Sequence, residues 1–512
     1  MRRRRKGLAA VGAGAFLASM VAVPAPAAAT APAALDWQEC TDLDPAEGGV
    51  LECATLRVPL DHAAGAAAGT ADIALSRAPA TGERRGTLLV NPGGPGSPGR
   101  AWAAPTAAAL PGDLREGYDV VGFDPRGTGA STPAVACDPA YFSPVRPDTV
   151  PRSRAEEGDL VRRAAEYAAS CGANTGALLN HLTTADSAAD LELLRAALGV
   201  ERIDYLGYSY GSYLGAVYAT FHPDRVRRLV LDSIVHPGRP WYESNLEQTR
   251  AVDAAARRFF DWIARHDDAY GLGATGGEVA GRYYAARDAL RERPLSGTVG
   301  PTEFETAYLV ATYAQAAWPQ LARALSGYVT GDDPDALLRV YQAYGEDADS
   351  DGGFGAYLGT QCTDAPWPRD WSTWHTAAER LHREAPFVAW NNIWYNAPCA
   401  TWPAPSRPWV EVDGSAVESA LLIQATGDGP TPVDGAYAMR ERFPAGRLLI
   451  EDGGGTHGVA LGGNACVDTA LAAYLRDGTL PPERTAAGGA DATCAAAPEP
   501  APEPEPDRRA ER

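Results

Sequence analysis

A serine, an aspartate and a histidine stand in this order at positions where they could carry out acyl transfer. Ser209 lies in Gly-Tyr-Ser-Tyr-Gly, after the strand-like IDYL and before the helix-like SYLGAVYATF. A G-x-S-x-G sequence between a strand and a helix is typical of a nucleophile elbow, whose glycines permit a sharp turn that exposes the hydroxyl. A serine hydroxyl attacks poorly unless a base stands beside it. The context therefore predicts that Ser209 is a nucleophile rather than a polar turn residue.

The base and the acid are expected in loops after later strands. Of the eight histidines, only His457 follows the last predicted strand, GRLLIEDGG, and it lies in the Gly-rich loop GGGTHGVAL. Asp428 follows the predicted strand ALLIQ, and a carboxylate there could orient the imidazole and stabilise its protonated form. The chain order Ser, Asp, His is the order that α/β-hydrolase folds use. Asp232, at the end of the predicted strand RRLVLD, is the alternative acid.

Two backbone N–H groups are expected to stabilise the oxyanion. One is the N–H of Tyr210, directly after the nucleophile. The other should come from the loop in LLVNPGGPGSPG, where glycines at 93, 94 and 96 allow close approach to a bound carbonyl. The segment FDPRGTGAST also follows a predicted strand, and we expect Asp124 and Arg126 in it to form a buried ion pair. It lacks the lysine and spacing of a phosphate-binding loop.

The elements around these residues predict an α/β fold. Short apolar runs, each followed by turn residues, alternate with helical patterns, which is typical of a mostly parallel sheet flanked by helices. The alternation stops after Asp232, and the next strand-like segment begins near Ser419. A crossover between parallel strands needs only about a dozen residues, so a large insertion is predicted after the sixth core strand. Its helix-like, Trp-rich sequence indicates a helical cap over the sheet.

The two ends of the chain differ from its middle in composition. MRRRRK and the Ala-rich stretch after it predict a signal peptide cleaved near Ala29, and hence a secreted protein. A membrane anchor is the alternative, but Pro24 and Pro26 interrupt the apolar stretch. The last residues, rich in Pro, Glu and Ala, predict a disordered tail. The predicted organisation is a signal peptide (1–29), a first part of the core (36–240), a cap (241–407), a second part of the core (408–484) and the tail (495–512).

Charge and cysteine content limit the possible partners. The formal net charge is -20, and removal of the five basic residues of the leader makes it -25, so binding to nucleic acid or anionic lipid surfaces is not expected. No segment after the leader is apolar enough for stable membrane insertion to be expected. An even number of cysteines in an exported chain predicts disulfides, with buried free thiols as the alternative. No C-x-x-C pair is present, and we expect neither a metal nor a cofactor. The simplest pairing joins neighbours: Cys40 with Cys53, Cys137 with Cys171, Cys362 with Cys399, and Cys466 with Cys494.

The assembled motifs resemble those of secreted α/β-hydrolase aminopeptidases of the prolyl-iminopeptidase type, and above all the tripeptidyl aminopeptidases of actinomycetes. The matching segments, which span about residues 85 to 465, are NPGGPGSPG, DPRGTGAS, HLTTADSAADLELLRAALG, YLGYSYGSYLGAVYATFHPDRVRRLVLDS, QCTDAPW, ATGDGPTPVDGA and GGGTHGV. The resemblance implies a triad of Ser209, Asp428 and His457, with oxyanion donors at Gly94 and Tyr210. Many iminopeptidases have a histidine before the Gly-Gly-Pro-Gly, where this chain has Pro92.

The resemblance also implies a peptide substrate with a free N-terminus, from which short units, expected to be tripeptides, are released. A desolvated ammonium needs a carboxylate partner, and Asp364 and Glu243 are the candidates in the predicted cap. Two other functions fit the same fold. A carboxylesterase or lipase would use the same triad, and a non-catalytic binding protein would keep only the scaffold.

Overall fold

Ten strands form one sheet in the computed structural model, which describes residues 34–45, 49–484 and 489–502. Every residue of the strands at 118–123, 203–208 and 420–425 is buried, as expected for strands covered on both faces. The strands are β1 (Gln38–Glu39), β2 (Glu52–Pro59), β3 (Thr70–Ala78), β4 (Gly86–Asn91), β5 (Tyr118–Phe123), β6 (Ile203–Tyr208), β7 (Val226–Asp232), β8 (Ala420–Ala425), β9 (Gly446–Asp452) and β10 (Ala492–Ala495).

The strand order is β1-β2-β3-β5-β4-β6-β7-β8-β9-β10. Strands β1, β2, β3 and β5 pair antiparallel, and all pairs from β5–β4 to β9–β10 are parallel. The predicted mostly parallel sheet is therefore confirmed. Strands β1 and β10 were not predicted from the sequence. They have two and four residues, respectively, and contain no apolar run that would indicate a strand.

Sixteen helices in the described residues flank the sheet or form the insertion. Side chains cap several of them; for example, Thr183 accepts a hydrogen bond from the Asp186 N–H at 3.0 Å. The helices are α1 (Ala103–Ala109), α2 (Gly112–Gly117), α3 (Arg154–Thr175), α4 (Thr184–Ala197), α5 (Tyr210–Phe221), α6 (Trp241–Arg265), α7 (Asp267–Tyr270), α8 (Gly276–Glu292), α9 (Pro301–Tyr308), α10 (Trp318–Thr330), α11 (Asp335–Tyr344), α12 (Ser350–Asp364), α13 (Trp371–Glu384), α14 (Ala389–Asn396), α15 (Asp434–Arg442) and α16 (Ala465–Asp477).

Helices α6 to α14 lie between β7 and β8, where the sequence predicted an insertion. Residues of α6 and α8 to α11, among them Trp262, Tyr283 and Trp318, form an apolar cluster of their own. Residues of α12 to α14, among them Phe354 and Trp390, instead join the main cluster that packs on the sheet. The insertion thus combines a separately packed helical layer with helices that belong to the core.

Four disulfides link Cys40–Cys53, Cys137–Cys171, Cys362–Cys399 and Cys466–Cys494, the same pairing as the simplest one proposed from sequence. The last of these attaches β10 to α16. The predicted tail from 495 begins inside β10, and Trp262 Nε1 donates to the Pro500 carbonyl oxygen at 3.1 Å, so the chain still contacts the protein at Pro500. The predicted signal peptide and residues 503–512 lie outside the described residues. No helix of the described ranges is long and apolar enough to cross a membrane.

The expected ion pair between Asp124 and Arg126 does not form. Asp124 accepts hydrogen bonds from the backbone N–H groups of Arg100 at 2.9 Å and Ala130 at 2.8 Å. Arg126 pairs with Asp190 of α4 at 2.6 Å. The prediction was wrong because the backbone N–H groups of Arg100 and Ala130 already satisfy the aspartate, while the arginine side chain reaches a helix distant in sequence.

Candidate active site

The candidate residues lie where parallel strands end at one edge of the sheet. Ser209 follows β6, Asp428 follows β8 and His457 follows β9, whereas Gly94 lies in the loop after β4. The carboxyl ends of parallel strands converge at the same edge, so side chains far apart in sequence come together there. All of these residues except Asp428 line one cavity of about 1100 Å³.

Ser209 occupies a strained turn. Its φ of 57° and ψ of −128° lie outside the regions that side-chain-bearing residues favour. Its N–H donates to the Asp232 carbonyl oxygen at 3.0 Å, and its carbonyl oxygen accepts from the Ser212 N–H at 2.9 Å. A side chain at Gly211 would place Cβ 2.6 Å from the Asn91 carbonyl oxygen, so a small residue is required here. This geometry is that of a nucleophile elbow.

His457 and Asp428 form a direct pair. Nδ1 of His457 lies 3.0 Å and 2.9 Å from the two carboxylate oxygens of Asp428. Asp428 is buried, and it also accepts hydrogen bonds from the Thr431 N–H at 2.8 Å and the Thr431 hydroxyl at 2.9 Å. Burial lowers the pKa of His457, but the charge and hydrogen bond of Asp428 outweigh burial and raise it above its usual value. The carboxylate therefore stabilises the imidazolium that a general base must become.

Asp232, the alternative acid, binds the backbone of the loop that contains His457. Its Oδ2 accepts hydrogen bonds from the N–H groups of Val459 at 2.7 Å and Ala460 at 2.6 Å. Ser233 Oγ accepts from the Gly458 N–H at 2.7 Å. Burial raises the pKa of Asp232 to about 7, although the two N–H donors act in the opposite direction. Asp232 thus holds the Ser209 turn through its carbonyl and the histidine loop through its carboxylate, without a hydrogen bond to the imidazole.

The insertion holds the acid and base loops in place. The His457 N–H donates to the Tyr313 carbonyl oxygen at 2.7 Å, and the edge of the Tyr313 ring faces the imidazole at 5.3 Å between centroids. Gln248 Nε2 donates to the Pro430 carbonyl oxygen at 2.9 Å, and Arg258 Nη2 donates to the Gly427 carbonyl oxygen. Sequence reasoning missed these contacts because nothing in the local pattern marks a partner so distant along the chain.

The loop after β4 lies directly against the elbow. A Cβ built on Gly93 would be 2.9 Å from both Ser209 Cβ and Tyr210 N, so only glycine fits at this contact. The Gly93 N–H donates to Asn91 Oδ1 at 3.0 Å. Among the hydrogen bonds of the described residues, the Gly94 and Tyr210 N–H groups have no protein acceptor. They are therefore free to donate to a developing oxyanion. Asn91, which positions this loop, was not found from the sequence.

Neither predicted amine partner reaches the cavity. Asp364 is buried and accepts hydrogen bonds from the Thr184 N–H at 2.8 Å, the Thr184 hydroxyl at 2.5 Å and Trp241 Nε1 at 3.3 Å. Burial raises its pKa to about 6. Glu243 is exposed on α6 and does not line the cavity. A helix buries one face and exposes another, and sequence alone did not show which face meets the cavity; neither Asp364 nor Glu243 lines it.

Comparison with known proteins places the whole arrangement in a family. The family profile described as the alpha/beta hydrolase fold matches residues 86–461. A tripeptidyl aminopeptidase of Streptomyces coelicolor is 39% identical over 478 residues, which cover 90% of this chain and 88% of the relative. The serine protease Hip1 of Mycobacterium tuberculosis is 31% identical, with 88% and 90% covered. A protein of the same organism named carboxylesterase B is 33% identical, with 87% and 88% covered.

Proposed function

The chain belongs to the α/β-hydrolase family, and from this membership we propose that it is a secreted serine exopeptidase that releases tripeptides from the N-termini of peptides. Its relative at 39% identity bears the name tripeptidyl aminopeptidase. The observation that carries the proposal is that His457 Nδ1 pairs with both oxygens of Asp428 and that His457 lines the same cavity as Ser209. Such a pair makes a serine hydroxyl a usable nucleophile.

The reaction follows from these positions. Ser209 Oγ attacks the peptide carbonyl while Nε2 of His457 takes the hydroxyl proton, and Asp428 stabilises the imidazolium. The carbonyl oxygen becomes an oxyanion that accepts hydrogen bonds from the N–H groups of Gly94 and Tyr210. The imidazolium gives its proton to the departing amine, and the peptide C–N bond breaks. Water then attacks the acyl-enzyme with His457 again as base, which releases the acid and restores the serine.

Glu346 is the carboxylate that we assign to the substrate ammonium. It lines the cavity, and its side chain is 21% exposed. Arg146 pairs with both Glu346 and the fully buried Glu303, so one positive charge serves two negative ones. The remaining negative charge can pair with an ammonium, for which a partly buried site gives a stronger interaction than the surface.

Peptide cleavage with a free and a blocked N-terminus tests the function. We expect mass spectrometry to show tripeptides released from free peptides and no release after N-acetylation. Glu346→Gln should raise KM for free peptides about tenfold or more. Glu243→Gln, on the exposed face of α6, is the matched control and should leave KM unchanged. Release of tripeptides from acetylated peptides at an undiminished rate would refute recognition of the amine.

An organophosphonate probe tests the nucleophile separately. It should label the folded protein once, and Ser209→Ala should abolish labelling. If a folded sample resists the probe, the chain is a binding protein on a hydrolase scaffold.

Ester hydrolysis is the second candidate function, because a relative at 33% identity is named a carboxylesterase. The triad geometry serves esters and amides alike. The ratio of kcat/KM for a tripeptide arylamide to that for a simple acyl ester separates the two functions. A peptidase should hydrolyse the tripeptide arylamide far better than an acyl ester without an amine, whereas an esterase should show the reverse.

We also propose export from the cell. The four disulfides are typical of proteins that fold in an oxidising compartment. Determination of the mature N-terminus from a culture supernatant should give a start close to residue 30.

A further inference from the structure

An apolar surface extends the cavity beyond the catalytic residues. We name it the leaving-group shelf, and it consists of Trp102, Pro105, Ala109, Tyr208 and Leu461. None of these residues belongs to the insertion between β7 and β8. Trp102 is 40% exposed, and Pro105 and Ala109 are exposed beside it on α1. A large apolar side chain left open to solvent inside a catalytic cavity is a contact surface available to a substrate.

The shelf is continuous with the histidine loop. The rings of Trp102 and Tyr208 have centroids 5.6 Å apart. Tyr208 directly precedes Ser209, and its hydroxyl donates to the Ala460 carbonyl oxygen at 3.0 Å. Leu461, with a φ of 61°, follows and completes the surface. The shelf therefore begins at the nucleophile and runs along the residues that follow His457.

The insertion lines another part of the cavity. Its helices α6, α12 and α14 contribute amide side chains, such as Asn245 and Asn392, beside aromatic rings such as Tyr357. The loop after β4, with its oxyanion donor, packs on α12: a Cβ on Gly96 would collide with the Gly353 carbonyl oxygen. The oxyanion loop thus packs on α12, whereas Tyr208 of the shelf bonds the loop that follows His457.

The reaction places the two halves of the substrate on different catalytic residues. The acyl half stays on Ser209, and the departing amine must receive its proton from His457. The amine, and the peptide attached to it, therefore leaves on the side of the histidine loop. We propose that the leaving-group shelf binds the side chain that follows the cut bond, and that it selects substrates with a large apolar residue there. This proposal rests on the proposed peptidase function.

A leaving-group series tests the shelf. All substrates begin with the same tripeptide, which is followed after the cut bond by the amide of Leu, Phe, Gly or Asp. The rate for each substrate is divided by the rate for the methyl ester of the same tripeptide. We expect the wild type to cleave the Leu and Phe substrates about tenfold better than the Gly and Asp substrates. Trp102→Ala should abolish most of this preference through KM, and Trp102→Phe should restore much of it.

Two further variants secure the conclusion. Phe221→Ala removes another aromatic ring, 46% exposed and outside the cavity, and should leave the preference as in the wild type. Ala109→Lys places a cation on the shelf and should shift the preference toward Asp after the cut. The wild-type preference in both Trp102→Ala and Ala109→Lys would overturn the proposal, as would a changed preference among the three acyl residues instead. Failure of the peptidase function is distinct, because the wild type would then cleave none of the amides.

Discussion

Replacement of Asp428 by asparagine should nearly abolish catalysis by selecting the wrong tautomer of His457. The Thr431 backbone N–H donates to Asp428 Oδ1 at 2.8 Å, and a backbone donor cannot reverse its role. The side-chain oxygen of the introduced asparagine must therefore stay at the Oδ1 position, which puts its NH₂ group at the Oδ2 position, 2.9 Å from Nδ1 of the imidazole. That NH₂ group repels an Nδ1–H and donates to a bare Nδ1, which favours the tautomer with the proton on Nε2 over the one in which Nδ1–H donates to the retained oxygen at 3.0 Å. That tautomer cannot accept the proton of Ser209.

The expected size of the effect follows from the loss of general base catalysis. A carboxylate-to-amide change that selects the wrong tautomer lowers kcat by about 10³- to 10⁴-fold, which corresponds to about 4 to 5.5 kcal/mol in activation free energy. A second effect concerns pH. The negative charge of Asp428 raises the pKa of His457, so its removal should lower that pKa. The acidic limb of kcat/KM for the residual activity should therefore move to lower pH.

The assay compares Asp428→Asn with Asp232→Asn across a pH series of kcat and kcat/KM. Asp232→Asn is a matched control because it also replaces a buried carboxylate in the site. Its Oδ2 oxygen can still accept from Val459 and Ala460, while its NH₂ group faces the Ser233 hydroxyl, 3.3 Å from Oδ1. We expect this control to lose less than about a hundredfold in kcat. Circular dichroism establishes that both variants fold.

The reasoning would be refuted by a reversed order of the two variants. If Asp428→Asn kept more than a tenth of the wild-type kcat while Asp232→Asn lost a thousandfold, Asp232 would be the catalytic acid. The 3.0 Å and 2.9 Å contacts of Asp428 would then serve only to hold the loop.

Three further predictions concern the surroundings of the site. Burial raises the pKa of Asp232 from 3.8 to about 7, so folding of the wild type becomes less favourable as pH rises through that range. Asp232→Asn lacks this cost. Its free energy of unfolding relative to that of the wild type should therefore be about 2 kcal/mol higher at pH 8.5 than at pH 5.5, as measured by urea unfolding at both pH values. A difference that does not change with pH would contradict the burial of this charge. Gly93→Ala should lower kcat by about a hundredfold, because the new Cβ would collide with Ser209 and Tyr210 and the residue has a φ of 98°. Gly112→Ala is the control: no atom lies within 4 Å of its new Cβ, so its kcat should match that of the wild type. The double variant Cys466→Ser with Cys494→Ser removes a disulfide that joins residues 28 positions apart. It should lower the free energy of unfolding by about 3 to 4 kcal/mol and leave kcat unchanged. Loss of kcat in the folded variant would show that β10 supports the site.

The fold was predictable because its central strands are buried on both faces. Segments such as LLV of β4 and ALLI of β8 are continuous apolar runs followed by turn residues, and this pattern depends only on local sequence. Once parallel strands are predicted, the loops after them must converge, which is why Ser209, Asp428 and His457 could be named together. The short edge strands β1 and β10 were not predicted, because they are recognised as strands only by their pairing with β2 and β9 and not by an apolar pattern in the sequence.

The polar residues that line the cavity were not predictable in the same way. The insertion carries polar residues on helix faces and in the loops between helices, and only its packing decides which of them meet the cavity. Asp364 satisfies Thr184 and Trp241 inside the core, whereas Glu346 lines the cavity with an arginine that it shares with Glu303. No local pattern distinguishes these two carboxylates, because their partners lie far away in the chain.

The insertion is part of the catalytic machinery and not merely a cover. A lid that only shields the cavity could be exchanged without disturbing the triad. Here the backbone of Tyr313 holds the His457 N–H at 2.7 Å, and Gln248 and Arg258 hold the carbonyl groups on either side of Asp428. The insertion therefore positions the loops of Asp428 and His457, and Asp232 holds the His457 loop in addition. Because misplacement of a catalytic group by about 1 Å can cost a hundredfold in rate, changes to the cap should alter kcat as well as specificity.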